Sequence, residues 1–217
     1  MCAGERTPRA DASAPEPAAA AAAPAAHVHR EEGLEVRVEQ GARQRLRIAA
    51  AGRVALAPAA AYEILTHADN TRVFSHLEAC TKHAVLADDG AGRQTVESTH
   101  LARWRFWFLT GTLATTLRLE QDAAARTSAF ALVGGGVMRE FAGAWHVRAV
   151  EGDPGAADVA LEQALAPARF LPPPVGALLG RIAVGQLRGV YADLRAEAAR
   201  VRAGAPTLWA AGAEPHE

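Results

Sequence analysis

Apolar and polar residues alternate along much of this chain. Between residues 44 and 57, Leu46, Ile48, Val54 and Leu56 share one phase, and Arg45, Arg47 and Arg53 share the other. A period of two with one wet face predicts a half-buried strand. Pro58 then opens PAAAYEILTHAD, a short helix with proline in its first turn, and Asn70 to His76 reads as a second short helix or turn. Alternation resumes in six further segments: about Cys80 to Ala87, Gln94 to Phe106, Leu109 to Gln121, Thr127 to Leu132, Arg139 to Val150 and Asp158 to Pro167. Short polar or Gly-rich turns separate them, so successive strands should pair antiparallel.

After Leu171-Pro172-Pro173-Pro174 the period changes to 3.6. Val175, Leu178, Leu179, Ile182, Val190, Tyr191, Leu194, Ala198 and Val201 form one stripe, with Arg181, Arg188, Arg195, Arg200 and Arg202 largely off it. Proline before and Gly204 after punctuate a helix of about thirty residues, a rod of roughly 45 Å. No repeated strand–helix alternation supports a doubly wound parallel sheet. The expected fold is α+β. A curved seven-stranded antiparallel sheet grips the long C-terminal helix, two short helices follow the first strand, and an apolar cavity lies inside.

The strand REFAGAWHV, Arg139 to Val147, speaks most directly for such a cavity. Phe141, Gly143, Trp145 and Val147 share its inner phase, which holds no acid or base. Gly143 marks a place where something approaches closely or the sheet bends. The C-terminal helix carries Gly176, Gly180, Gly185 and Gly189, each costing about 1 kcal/mol relative to alanine in a helix interior. Their missing side chains make room for the sheet or for a ligand. An empty void of about 300 Å³ would cost about 7 kcal/mol, so occupancy or partial collapse is expected.

The chain resembles the START-like helix-grip superfamily, in its polyketide cyclase/dehydrase and coenzyme Q-binding branch, over roughly residues 44 to 202. The carriers are the order of elements, VALAPAAAYEILTHADNTRVF, WRFWFLTGT, VMREFAGAWHV and the proline-led last helix. One departure is visible: Asp69 to His76 lacks the proline that relatives often carry there. The resemblance implies a cavity between sheet and helix that takes a lipid, an isoprenoid quinone or a polyketide-like molecule. Fold alone does not choose among these.

Composition narrows the rest. Lys+Arg 23 against Asp+Glu 24 gives a net charge of −1, so no basic field invites nucleic acid. Cys2 and Cys80 are the only cysteines, which leaves neither a disulfide framework nor a metal-ligand spacing. No cofactor motif is present: GxGxxG after a strand, GxSxG and HExxH are all missing. No apolar run reaches the roughly 18 residues of a membrane span. Residues 1–33, rich in Ala and Pro, read as a disordered tail or the remnant of a plastid or mitochondrial transit peptide. Glu5, Asp11 and Glu16 count against the transit peptide, and the alternative location is cytoplasmic. Residues 34–203 form the domain, and 204–217 a flexible tail.

Polar residues on inner phases are the candidate site. Ser98 and His100 share a phase with Val96, Ala102, Trp104 and Phe106. They are placed to hydrogen-bond a carbonyl, and His100 is the one candidate general base. Thr115 beside Leu117, Gln163 on the last strand and Tyr191 on the helix are further candidates for orienting a ligand. Phe130, Phe141, Trp145, Leu179 and Ile182 are the expected apolar walls. Trp107 and Phe108 suggest an exposed hairpin that touches a membrane peripherally or forms a rim. Three functions follow. The first is binding, transport or chaperoning of a hydrophobic small molecule. The second is a cyclase/dehydrase in which His100 moves protons with Ser98 or Tyr191. The third is a non-catalytic module of a larger complex.

Overall fold

The computed structural model describes residues 26–106, 109–134 and 136–207. Its centre is one antiparallel sheet of nine strands in the order β1-β2-β3-β9-β8-β7-β6-β5-β4. The strands are β1 (Ala26–Glu31), β2 (Leu34–Gln40), β3 (Leu46–Val54), β4 (Leu77–Asp88), β5 (Arg93–Phe106), β6 (Leu109–Asp122), β7 (Thr127–Leu132), β8 (Met138–Val150) and β9 (Asp153–Pro167). Helix α1 (Pro58–Thr66) and a single 3₁₀ turn at Asn70–Arg72 fill the connection from β3 to β4, and α2 (Pro173–Arg202) ends the fold.

The expected strand count was two short. The seven expected strands are β3 to β9, and the extra pair precedes them. β2 carries its own alternation, with Leu34, Val36 and Val38 buried and Arg37 exposed. β1 places residues 26–31 in the sheet, inside a segment expected to be a tail. This pair matters for the helix. The main sheet partners of α2 are β2 and β3, so the added strands supply much of the floor on which it rests.

The core follows from that placement. Val36, Val38, Ile48, Ala50 and Val54 on the sheet meet Leu187, Val190, Tyr191, Leu194 and Ala198 on α2, and Ile64 and Ala61 of α1 join them. A turn at Ala42–Gln44 joins β2 to β3, and Arg43 and Gln44 both adopt left-handed backbone at φ 53° and 58°. Non-glycine residues rarely do so without compensation. Here the Gln44 Nε2 donates to the Leu171 carbonyl at 2.8 Å, and the Leu171 N–H donates to Gln44 Oε1 at 2.9 Å. This two-bond clamp ties the approach to α2 to the β2–β3 turn. Among the described residues no helix is long and apolar enough to cross a membrane.

Candidate functional site

Only the C-terminal half of α2 is fully seated. Leu178, Leu179 and Ile182 in its first half are half-buried, whereas Leu187, Tyr191 and Leu194 are buried. The sheet shows the same asymmetry. On its inner face the β2, β3 and β9 residues are covered, but Leu113, Leu117, Leu119, Leu132, Phe141 and Trp145 are only half-buried. Apolar surface left in contact with water costs about 25 cal/mol per Å². Apolar side chains on β6–β8 and in the first half of α2 are thus left half-covered.

The expectation was an internal apolar cavity between the sheet and α2. The two best-defined hollows among the described residues both involve the outer face of the sheet. One, about 520 Å³, is lined by residues such as Asp89, Arg93, Glu120 and Asp122; the other, about 580 Å³, by residues such as Arg37, Arg47, Glu140 and Glu162. Charged rims make them unlike a hydrophobic pocket.

A polar cluster sits on the β4–β6 part of the inner face. Register places Ser98 between His83 and Leu117, and His100 between Cys80 and Thr115. Ser98 is 1% exposed, so its hydroxyl must be satisfied locally. It lies 3.2 Å from the Lys82 carbonyl, 3.4 Å from Cys80 Sγ and 3.5 Å from His100 Nδ1. Cys80 Sγ also donates to the Lys82 carbonyl at 3.2 Å. The other ring nitrogen, Nε2 of His100, is buried with no hydrogen-bond partner among the described residues, as is Nδ1 of His76. Burial first, then the neighbouring His83 and His76, holds His100 below the ordinary histidine pKa. Burial lowers His76 too, opposed by Asp193, and lowers His83, assisted by His67. The imidazoles are therefore mainly neutral at pH 7. Among the described residues no group of His, Cys, Asp and Glu is arranged to hold a metal ion.

The structure brings Ser98, His100, Thr115 and Leu117 together on β5 and β6. Phe141, Trp145, Leu179 and Ile182 line the half-buried walls. Gln163 is half-buried on β9 between Gly143 and Ile48. Phe130 is a core residue, 7% exposed, with its ring 5.4 Å from that of Phe141. Tyr191 corrects an expectation. Its hydroxyl is fully buried and donates to the Val159 carbonyl at 2.8 Å, and burial pushes its pKa up, so it is not offered to a ligand. Trp104 and Phe106 have backbone places in β5, but their side chains lie outside the described residues, as do Trp107 and Phe108 altogether. Cys80, His83 and His76 were not among the expected site residues. The β4 register shifts between Cys80 and Lys82, which turns Cys80 and His83 to one face although they are three apart.

The model of the family described as "Domain of unknown function DUF220" matches residues 34–154, and the chain belongs to that family. No curated protein matches the chain. Among solved structures, the Zhui aromatase/cyclase of Streptomyces sp. R1128 is similar at TM-score 0.57 and 16% identity, over 75% of this chain and 99% of that one. The STAR-related lipid transfer protein of Xanthomonas axonopodis gives TM-score 0.55 and 15% identity, over 80% and 98%. The human StarD13 lipid transfer and protein localization domain gives 0.53 and 7%, over 79% and 88%. These likenesses establish a START-like fold.

Proposed function

We propose that this member of the DUF220 family binds a hydrophobic small molecule, a lipid or an isoprenoid quinone, in the cleft between β5–β8 and the first half of α2. Binding serves to carry or shield that molecule. One observation carries the reading. Leu113, Leu117, Leu119, Phe141 and Trp145 form an apolar surface inside the fold that the chain's own helix leaves half-covered. A START-like fold is used for lipid transfer in the Xanthomonas and human proteins named above, which agrees with this reading at the level of fold.

The test is mass spectrometry of organic extracts from natively purified protein, followed by titration with lipids and quinones. A hydrophobic compound should co-purify, and Thr115→Trp, which fills the cleft beside Leu117, should reduce its recovery. Repeated absence of any such compound, with no binding of added lipid or quinone, would sink the idea.

A second reading has a specific observation in its favour. Burial lowers the pKa of His100, its Nε2 has no partner among the described residues, and the Streptomyces neighbour is an aromatase/cyclase. Tyr191 cannot serve as its partner, because its hydroxyl is committed to Val159. Turnover of a polyketide-like substrate that survived His100→Ala would remove this mechanism.

A further inference from the structure

Three connections meet at one end of the sheet and are stitched into a single platform. The Ala168 N–H donates to the Val137 carbonyl at 2.9 Å, which joins the β9–α2 connection to the β7–β8 connection. Gln44 holds Leu171 through hydrogen bonds of 2.8 and 2.9 Å, which brings in the β2–β3 turn. Arg45 grips Glu140 at 2.8 and 2.6 Å and fixes the same turn to the start of β8. On this platform Phe170 is 75% exposed and Val137 is 60% exposed. A single exposed apolar residue is ordinary on a protein surface. Two on adjoining connections, held in place by the bonds of their neighbours, make a patch that gains by leaving water. Neither residue lines either of the hollows described above.

Charge is separated along the strands. The chain as a whole carries −1. The three connections and the first residues of β8 hold Arg43, Arg45, Arg139 and Arg169 against one carboxylate, that of Glu140. Arg45 takes that carboxylate. Arg43 and Arg169 are exposed with no ion pair among the described residues, and the exposed Arg139 adds only a longer-range attraction to Glu140. The opposite end of the sheet is acidic, with Asp88 and Asp89 at the β4–β5 turn and Glu151 and Asp153 at the β8–β9 turn. A negatively charged surface therefore draws the arginine end and repels the other.

An acidic protein and an anionic membrane both offer that charge, and the apolar tips decide between them. Arg169 stands next to Phe170, and Arg139 two residues after Val137, so each connection sets a cation beside an apolar tip. Such a pair suits a bilayer surface, where the guanidinium stays among headgroups while the apolar side chain enters the acyl boundary. We infer that this end of the fold docks the protein on a membrane surface carrying anionic headgroups. Phe170 and Val137 enter the interface, and Arg43, Arg139 and Arg169 meet the headgroups. The inference goes beyond the cleft proposed above and does not depend on it.

The test is co-sedimentation of the full chain with vesicles of phosphatidylcholine alone and of phosphatidylcholine with about 30 mol% phosphatidylserine. The anionic vesicles should bind at least about ten-fold more tightly, and their affinity should fall as salt rises. Val137→Ser with Phe170→Ser should weaken that binding at least about ten-fold. Arg139→Gln with Arg169→Gln should weaken it at least about five-fold. Both pairs replace exposed side chains, so their urea midpoints should match the wild type. Val85→Ser with Leu86→Ser is the control. Each of these residues is 52% exposed, but on β4 near Asp88 and Asp89, and vesicle binding should be unchanged. Equal binding to the two vesicle types, binding unchanged in the Val137/Phe170 variant, or an equal loss in the control overturns the inference. So does absence of binding to both vesicles; retention on immobilised polyglutamate in that case would assign the patch to an acidic protein instead.

Discussion

The ring of Tyr191 occupies the space that a side chain at Gly52 would need. A Cβ built on Gly52 would sit 2.8 Å from Cε1 and 3.0 Å from Cδ1 of that ring. The ring cannot easily retreat, because its hydroxyl is bound to the Val159 carbonyl and its other neighbour is Trp145, with ring centroids 6.4 Å apart. Gly52→Ala should therefore destabilise the protein by about 1–3 kcal/mol, the usual range for overpacking. Tyr191→Phe should cost about 1–2 kcal/mol by removing that buried hydrogen bond. Urea denaturation reads both. Ligand affinity should be unchanged in Tyr191→Phe, since its hydroxyl does not face the cleft.

Gly143 is a harder case of the same kind. A Cβ there would overlap the Glu162 carbonyl oxygen and approach Gln163 Cβ and Phe130 Cζ to 2.8 Å. Backbone does not give way as a side chain does. Gly143→Ala should lie at or beyond the upper end of the overpacking range, about 3 kcal/mol. A urea midpoint equal to that of the wild type would show that the β7–β8–β9 ladder is looser than described.

The helix glycines behave differently. A Cβ on Gly185 or Gly189 meets nothing within 4 Å, and on Gly180 it makes an ordinary contact with Val38 Cγ1 at 3.7 Å. Close packing does not require glycine at these positions. Gly185→Ala and Gly189→Ala should each stabilise by about 0.5–1 kcal/mol. Thermal melts check this, and a loss of stability would mean that the sheet approaches α2 more closely there.

Histidine burial sets an acid limit on stability. His76 and His100 have folded pKa values below the ordinary 6.5, so the unfolded chain binds their protons first. Their contribution is complete above pH 6.5 and is lost as the pH falls from 6.5 through the lowered folded values. Carboxylates with lowered pKa, such as Glu97 beside Lys82, add a separate loss below the ordinary value of 4.5. The urea midpoint should decline from pH 7 to 5.5, and less steeply in His100→Phe. A flat profile in that window would contradict burial of these rings.

The clamp between Gln44 and Leu171 holds the segment leading into α2 against the β2–β3 turn. Gln44→Ala removes both of its hydrogen bonds while leaving two left-handed residues in the turn. The expected cost is about 1–3 kcal/mol. A change in cleft affinity beyond that of a distant control variant would be read in the same titrations.

Much of the fold was legible in the sequence because strand periodicity is a local signal. Thr127–Leu132 was placed residue for residue, and β5, β6 and β8 to within one residue at the ends. β2 carries the alternation of Leu34, Val36 and Val38, but it is short and follows directly on an Ala/Pro-rich segment, so its local pattern does not separate it from a tail. The inward grouping of Ser98, His100, Thr115 and Leu117 followed from phase alone. Cys80 and His83 did not, because a β-bulge changes the phase without any mark in the residue types.

The sequence by itself determined β3 to β9, the long helix α2 and the inner-face phase of the regular strands, since each depends on residues near one another in the chain. Only the tertiary structure decided that α2 rests on β2 and β3, that apolar side chains on β6–β8 stay half-covered, and that the Tyr191 hydroxyl is spent on Val159. It also decided that Nε2 of His100 lies buried with no hydrogen-bond partner among the described residues. Each of these depends on how distant surfaces meet, and no spacing along the chain encodes which of two apolar faces a helix will cover.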